Sequence, residues 1–221
     1  NSTFDISANS LFPKSHSLRI VLSFLCSKVG TGLLSYLCPT LNFTPGDIAK
    51  LPLPDVLFEQ HDHAIEMLAA ECIAIAEGEV STSETSWTFK DRPELENRSK
   101  APTIIRSLEN RQALFDLNFF RLQQLEEENN RLFIEAYGLQ GELSPEVPDD
   151  RITLYRPDRE ETIRRLVSYA IGCTMGRYSL DKPGLIYAQS GNQDFDSSQY
   201  KTFRADDDGI IPLLETDWGI R

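Results

Sequence analysis

Two histidines that flank an aspartate, His61 and His63, are the first residues whose side chains could do chemistry. Imidazole is a common ligand of transition metals, so a metal-dependent hydrolase is one hypothesis for the chain. Side chains two residues apart on a helix point in different directions, however, and converge poorly on one ion. His16 is the remaining histidine, and no cysteine is close in sequence. A solvated helix face is the favoured interpretation, and no metal site is predicted.

Gly30 and Gly32 form the one G-x-G pattern in the sequence. A nucleotide-binding glycine turn follows a strand and opens a helix, whereas this pair lies within a helical apolar stripe. Close packing of helices is therefore the favoured role of these glycines. No cofactor-binding residue is predicted.

Nucleophilic and acid–base catalysis also lack their usual signatures. The pattern Gly-x-Ser-x-Gly is absent, and no histidine follows His63. The pairs Glu126/Glu127 and Asp207/Asp208 are neighbours in sequence, which indicates solvated charge and not an acid–base couple. We therefore predict no catalytic residue in this chain.

Arginines between residues 151 and 177 form the one basic concentration. Guanidinium groups bind phosphate oxygens in a fork, so Arg164, Arg165 and Arg177 are the candidate contacts to nucleic acid. Acidic residues are interleaved with them, and runs of mixed sign are normally solvated faces. Internal ion pairing is thus the favoured alternative, with these acidic partners: Asp149, Asp150, Asp158, Glu160 and Glu161.

The overall charge argues against DNA binding by this chain alone. The 221 residues include 34 acidic and 22 basic side chains, for a formal net charge of −12. Phosphate neutralisation supplies most of the affinity of DNA-binding domains, which are consequently basic. A supporting role inside a larger protein remains compatible with this balance. The first residue is Asn1 and not methionine, and we expect the chain to be part of a longer protein.

The four cysteines, at positions 26, 38, 72 and 173, have neither zinc-site nor redox-pair spacing. All have apolar neighbours, so we expect buried free thiols in a reducing cytoplasm. The most apolar stretch, residues 18–38, carries Arg19 and Lys28. We expect it to be a core helix and not a membrane span.

Hydrophobic periodicity predicts four helices and little sheet. The first covers residues 18–38, with Ser17 as its cap, and its apolar stripe is Leu18, Val21, Leu22, Leu25, Val29, Leu33 and Leu37. The second follows a proline-interrupted connector over residues 39–54, with Asp55 as its cap and Gly78 as its end. Its predicted buried face is Ile65, Leu68, Ala69, Cys72, Ile73 and Ala76.

The third and longest helix is predicted over residues 102–137, with Glu126, Glu127 and Glu128 facing solvent and Gly138 and Leu139 forming a Schellman ending. A polar surface excursion over residues 79–102 precedes it, and a short strand is predicted over residues 152–155. Asp158 and Glu161 resemble a capping box for the fourth helix. Its predicted buried face is Ile163, Leu166, Val167, Ala170, Ile171 and Met175.

Three stretches carry a resemblance to a known family. Residues 25–29 (LCSKV) and 41–52 (LNFTPGDIAKLP) resemble the element that closes target-recognition regions in adenine methyltransferases, an "lnSk" helix before an "Nf-x-x-gdI-x-x-lP" connector, with Cys26 where such helices usually carry Asn. Residues 84–89 (ETSWTF) are the second stretch. Residues 127–147 (EENNRLFIEAYGLQGELSPEV) and 168–181 (SYAIGCTMGRYSLD) are the third. Together they look like the segment after the methyltransferase core in the PglX family of BREX phage-defence systems.

The resemblance implies a parent protein that transfers a methyl group from S-adenosylmethionine to adenine N6 in a short double-stranded DNA target. The family's catalytic motif, Asn/Asp-Pro-Pro-Tyr/Phe, presents a flipped base to the methyl donor. No two prolines are adjacent in this sequence, so the motif is missing. The chain is therefore expected to hold no cofactor and to be inactive alone.

The predicted fold is mainly α, with a long central helix and a few short strands, preceded by a stub of an α/β target-recognition region. Residues 1–54 would end that region, and residues 55–221 would form a helical spacer or docking domain. We expect a cytoplasmic, non-catalytic segment that supports target recognition and positions the catalytic domain, with other BREX subunits as further partners and no membrane contact. The alternative is a helical protein-interaction module of a defence complex without direct DNA contact.

Overall fold

The computed structural model describes residues 12–13, 17–38, 44–53, 61–96, 99–156, 158–188 and 195–205. Within these ranges the chain is mainly helical, as predicted. The α-helices are α1 (Leu18–Cys26), α2 (Lys28–Leu37), α3 (Pro45–Ile48), α4 (Asp62–Val80), α5 (Ile104–Ala136) and α6 (Arg159–Thr174). Two short 3₁₀ helices cover Asp149–Arg151 and Ser197–Gln199.

The chain divides into two compact units. Unit 1 comprises Asn1–Ala76 and Leu117–Thr153, and unit 2 comprises Glu77–Asp116 and Leu154–Arg221. Helices α4 and α5 therefore contribute residues to both units. The boundary predicted at residue 54 separates the end of the recognition region from the spacer domain. It is a functional boundary and stays a prediction.

The single helix expected over residues 18–38 is wrong, because Ser27 divides it into α1 and α2 with a bend of 74°. The fully buried Ser27 hydroxyl donates to the Phe24 carbonyl at 2.7 Å and accepts from the Gly30 N–H at 3.0 Å. It thus ends one helix and caps the next. A Cβ on Gly30 would lie 2.0 Å from the Phe24 carbonyl oxygen, so the predicted packing role is confirmed for this glycine. It is wrong for Gly32, because no atom lies within 4 Å of a Cβ added there.

Unit 1 is built around the α1–α2 corner and the C-terminal part of α5. Phe24 lies 5.5 Å from Phe133 and 6.1 Å from Tyr137, measured between ring centroids. The predicted stripe of the first helix is partly wrong, since Leu18, Leu22 and Leu37 are exposed. The buried residues of the cluster are Ile20, Phe24, Val29, Leu34, Leu51, Ile65, Phe133 and Ile134.

Several predicted helix boundaries are confirmed. Ser17 caps α1, and Asp158 caps α6 by accepting from the Glu161 N–H at 2.7 Å. The long helix ends in a Schellman motif, in which Gly138 has φ 68° and the Leu139 N–H donates to the Ile134 carbonyl at 2.9 Å. Helix α4, by contrast, continues through Gly78 to Val80. Its expected cap, Asp55, lies outside the described residues.

Unit 2 contains an aromatic core formed by Phe89, Tyr169 and Tyr178 beside Cys173. Tyr169 and Tyr178 stack at 5.0 Å, and Phe89 meets Tyr178 edge-on at 5.2 Å. A Cβ on Gly172 would lie 2.5 Å from Tyr178 Cδ2, so the helix approaches this ring at a glycine. Tyr169, Gly172 and Cys173 are consequently the buried residues of α6.

The buried face predicted for α6 is therefore wrong. Ile163, Val167 and Ile171 are 41%, 53% and 50% exposed and lie on the side of the helix opposite Tyr169. Helix α6 has two apolar faces, and the face that carries Tyr169 is the one that packs into the core. The solvated excursion expected over residues 79–102 is also corrected, because Arg92 and Glu94 are buried within it.

Little sheet is present in the described part of the chain. The strand expected over residues 152–155 is not assigned as one, and the pair Ser179 and Lys182 makes an isolated antiparallel bridge. No single helix among these residues is long and apolar enough to cross a membrane. Helices α1 and α2 reach that length and composition only when taken together across their bend.

Candidate nucleic-acid interface

The arginines of α6 pair with acidic residues of the same helix. Arg164 lies 2.5 Å from Glu160, and Arg165 lies 2.8 Å from Glu161. The Arg165 guanidinium is also 5.2 Å from the centroid of the Tyr155 ring. These one-turn ion pairs are the internal pairing that the interleaved charges indicated. Their contact with nucleic acid stays a prediction.

Arg177, the third candidate, lies just beyond α6. Its backbone N–H donates to the Gly172 carbonyl at 2.8 Å, and Gly176 before it has φ 71°. Burial, followed by the nearby Glu84 carboxylate, raises the pKa of Tyr178 to about 12, while Arg177 acts in the opposite direction. The guanidinium therefore lies close to this phenol.

A cleft that sequence reasoning missed follows Arg177 in the chain. Its volume is about 660 Å³, and its lining is Phe195, Ser197, Tyr200, Lys201, Arg204 and Ala205. Tyr200 is buried and donates its hydroxyl hydrogen to the Gly176 carbonyl at 2.6 Å. The close spacing of Tyr200, Lys201 and Arg204 is the sequence signal that could have indicated this basic and aromatic site.

The histidine pair does not acquire further metal ligands in the described ranges. His61 precedes α4 and is half-exposed, whereas His63 lies in its first turn and is exposed. Among the described residues, no group of three or more histidine, cysteine or carboxylate side chains could hold a metal ion.

The cysteines are free thiols, as expected, but they are not all buried. Cys38 and Cys173 are buried, Cys72 is half-buried and Cys26 is exposed. Burial raises the pKa of Cys72 to about 11, with a further contribution from Glu126, and burial likewise raises the pKa of Cys173 to about 11. Thiols of such high pKa are poor nucleophiles at neutral pH.

The acidic pairs have separate structural settings. Glu126 was expected to face solvent, which is wrong, because the residue is half-buried. This burial raises the pKa of its carboxyl. The neighbouring Glu127 accepts from the Val147 N–H at 3.1 Å. The side chains of Glu126 and Glu127 on α5 therefore have different environments. The second pair, Asp207 and Asp208, lies outside the described residues.

Comparison with known proteins gives two relatives that align with nearly all of the chain. The adenine-specific methyltransferase PglX of Lacticaseibacillus casei (strain Zhang) is 36% identical over 219 residues, which cover 97% of this chain and 18% of the relative. The adenine-specific methyltransferase BrxX of Escherichia coli O9:H4 (strain HS) is 34% identical over 239 aligned positions, covering 97% of this chain and 19% of the relative. No family model matches the chain. The chain thus spans about a fifth of the length of these relatives.

Proposed function

Since the chain belongs with the adenine-specific methyltransferases of BREX systems, as a segment about a fifth of their length, we propose that it is a non-catalytic support for target recognition. In this proposal the parent protein methylates adenine N6 in double-stranded DNA with S-adenosylmethionine as the methyl donor. The segment holds the recognition and catalytic parts at a fixed separation. It acts in the cytoplasm and makes no membrane contact.

The absence of the methyltransferase motif from the sequence supports a non-catalytic role. An Asn/Asp-Pro-Pro-Tyr/Phe motif needs two adjacent prolines, and this chain has none. Chemistry on a base inside duplex DNA requires a pocket for the flipped nucleotide. The segment is accordingly proposed to position the recognition and catalytic parts and not to take part in making or breaking bonds.

Helix α5 is suited to the role of a spacer. Its 33 residues form one continuous α-helix, Ile104–Ala136. At a rise of 1.5 Å per residue its length is about 50 Å.

The observation that carries the proposal is the set of hydrogen bonds between the α1–α2 corner and α5. Asn129 donates to the Ser23 carbonyl at 2.9 Å, and Asn130 accepts from the Lys28 N–H at 2.8 Å. The Lys28 ammonium then donates to the carbonyls of Ser144 and Glu146 at 2.9 and 2.6 Å. The part of the chain that resembles the end of a recognition region is thereby fixed to the long helix.

The alternative is an interaction module that docks other BREX subunits without touching DNA. The net charge of −12 and the ion pairs of Arg164 and Arg165 favour it. Acidic surfaces attract basic partners over long distances and repel DNA phosphates. In gel shifts of the parent protein, Arg164→Glu and Arg165→Glu should lower the dependence of DNA affinity on salt only if these arginines touch phosphate.

The direct test uses the full-length parent methyltransferase. We expect deletion of this segment to abolish site-specific methylation while S-adenosylmethionine still binds the catalytic domain. Asn129→Ala with Asn130→Ala should reduce methylation without full loss, because the corner is loosened and not removed. Gln124→Ala, an exposed change on the same helix, is the matched control. A deletion variant that methylates its target at the normal rate would overturn the proposal.

A further inference from the structure

The aromatic residues that line the cleft beside Gly176 are held in place by contacts with the backbone and with one another. Tyr200 is buried and anchored through its hydroxyl to the Gly176 carbonyl, and its ring stacks on Phe195 at 5.2 Å with 19° between the planes. Phe195 also meets the Tyr187 ring at 5.6 Å. A Cβ on Gly176 would lie 3.0 Å from Phe195 Cε2 and 3.5 Å from the Tyr200 hydroxyl. The glycine thus makes room for these rings.

Among the described residues that line this cleft, the two charged side chains are both cationic. Lys201 and Arg204 are exposed, and neither forms an ion pair within 4.0 Å with another residue of the described ranges. They differ in this respect from Arg164 and Arg165, whose guanidinium groups are paired within α6. Two cations at one opening attract an anionic group.

Two carboxylates, Asp181 and Asp196, accept hydrogen bonds from residues of the segment that lines the cleft. Asp181 accepts from the Lys201 and Thr202 N–H groups at 2.6 and 2.8 Å and also from the Thr202 hydroxyl. Asp196 accepts from the Ser198 N–H at 3.0 Å and from the Gln199 side-chain amide at 3.2 Å. Both carboxylates are ionised at neutral pH, since these hydrogen bonds lower the pKa of each. Their role is to position the segment that presents the cations.

From this geometry we propose that the cleft binds a phosphate group of the DNA backbone, with Lys201 and Arg204 as donors. The aromatic residues are less suited to holding a base, because Phe195 already contacts the rings of both Tyr200 and Tyr187. Ser197 adds a neutral hydroxyl at the lining. The contact positions the DNA without reading its sequence. The inference rests on the proposed function, because it assumes that the segment lies beside the target DNA.

A titration of the 221-residue chain tests the site itself. Inorganic phosphate and a short DNA duplex are added separately to ¹⁵N-labelled protein, and backbone amide shifts are followed. We expect both probes to shift the amides around residues 200–205 in a saturable way, and the duplex to bind weakly because the net charge of −12 opposes DNA binding by the chain alone. Lys201→Ala with Arg204→Ala should remove these shifts, and Arg106→Ala, which breaks an exposed ion pair with Glu109, should leave them unchanged. Shifts located elsewhere, shifts that persist in the double variant, or a response to inorganic phosphate alone would overturn the proposal.

The same variants in the parent methyltransferase separate the two proposals. Lys201→Ala with Arg204→Ala should raise KM for DNA with little change in kcat and lower the salt slope by about one for each lost phosphate contact. If deleting the whole segment leaves methylation intact, the proposed function fails. If deletion abolishes methylation but the double variant keeps its KM and salt slope, the cleft proposal alone fails.

Discussion

Asn130 on α5 accepts a hydrogen bond from the backbone N–H of Lys28, the first residue of α2, at 2.8 Å. The first N–H groups of a helix have no partner within the helix, so this contact satisfies one of them from a residue 102 positions away. The Asn130 amide also donates to the Pro145 carbonyl at 3.1 Å. One buried side chain therefore joins α5 to the helix corner and to the loop that follows α5.

Replacing Asn130 by alanine is expected to destabilise the chain by about 1–3 kcal/mol, because partners of a buried side chain lose their hydrogen bonds. Urea unfolding followed by circular dichroism measures the change. Gln124→Ala on the same helix removes an exposed amide and is expected to change stability by less than about 0.5 kcal/mol. Equal losses in the two variants would contradict the role given to Asn130.

A buried ion pair stabilises the segment before α5. Both side chains of Arg92 and Glu94 are 3% exposed, and the guanidinium contacts both carboxylate oxygens, at 3.1 and 3.0 Å. Arg92→Met leaves the Glu94 carboxylate buried without its partner, for an expected loss of about 3–5 kcal/mol. Arg106→Ala breaks an exposed pair with Glu109 and is expected to cost about 1 kcal/mol or less.

The double variant Arg92→Met with Glu94→Leu provides the sharper test. Apolar residues of similar size remove both buried charges together, so the loss of stability should be smaller than in Arg92→Met alone. Thermal unfolding of the four proteins in a double-mutant cycle gives the coupling energy. Additive effects of the two substitutions would contradict a buried pair.

Local signals in the sequence predicted much of the helical fold. Gly138 marked the end of α5, and Ser17 and Asp158 marked the starts of α1 and α6, because caps depend on residues within one turn of the boundary. The division at Ser27 was not predicted. The Ser27 hydroxyl donates to a carbonyl three residues earlier, inside the packed core. Hydrophobic periodicity records only which positions are apolar, so it does not predict this hydrogen bond.

The faces of α6 show a second limit of sequence reasoning. Aliphatic residues at Ile163, Val167 and Ile171 predicted a core face, yet Tyr169 and Gly172 occupy it. The choice depends on Phe89, which is 80 residues before Tyr169 in sequence and meets its ring at 6.1 Å. The cleft was missed for the same reason, since Gly176 and Tyr200 come together only in the folded chain.

Replacing each of two helical glycines by alanine should change the stability of the chain in opposite directions. Gly172→Ala places a Cβ 2.5 Å from the buried Tyr178 ring, and we expect a loss of about 1–3 kcal/mol from overpacking. Gly78 on α4 has no atom within 4 Å of an added Cβ, so Gly78→Ala should stabilise the chain by about 0.5–1 kcal/mol. Differential scanning fluorimetry compares the two melting temperatures. A loss in both variants would contradict the open position of Gly78.

Glu126 is expected to give the chain an unusual dependence of stability on pH. Burial raises the pKa of this carboxyl in the folded state above its value in the unfolded chain, so the charged form is disfavoured by folding. The resulting penalty is present in full above the folded pKa. It decreases as pH falls and vanishes below the unfolded value of about 4.3.

Glu126→Gln should therefore stabilise the chain at pH 7, and the gain over the wild type should disappear as the pH approaches 4. The same change removes a negative charge that raises the pKa of Cys72, so that thiol should react faster with a disulfide reagent at pH 8. Glu135→Gln, an exposed change on the same helix, is expected to alter neither property. Urea unfolding across this pH range measures the first effect. A Glu126→Gln variant less stable than the wild type at pH 7 would show that the carboxylate has a favourable partner in the folded chain.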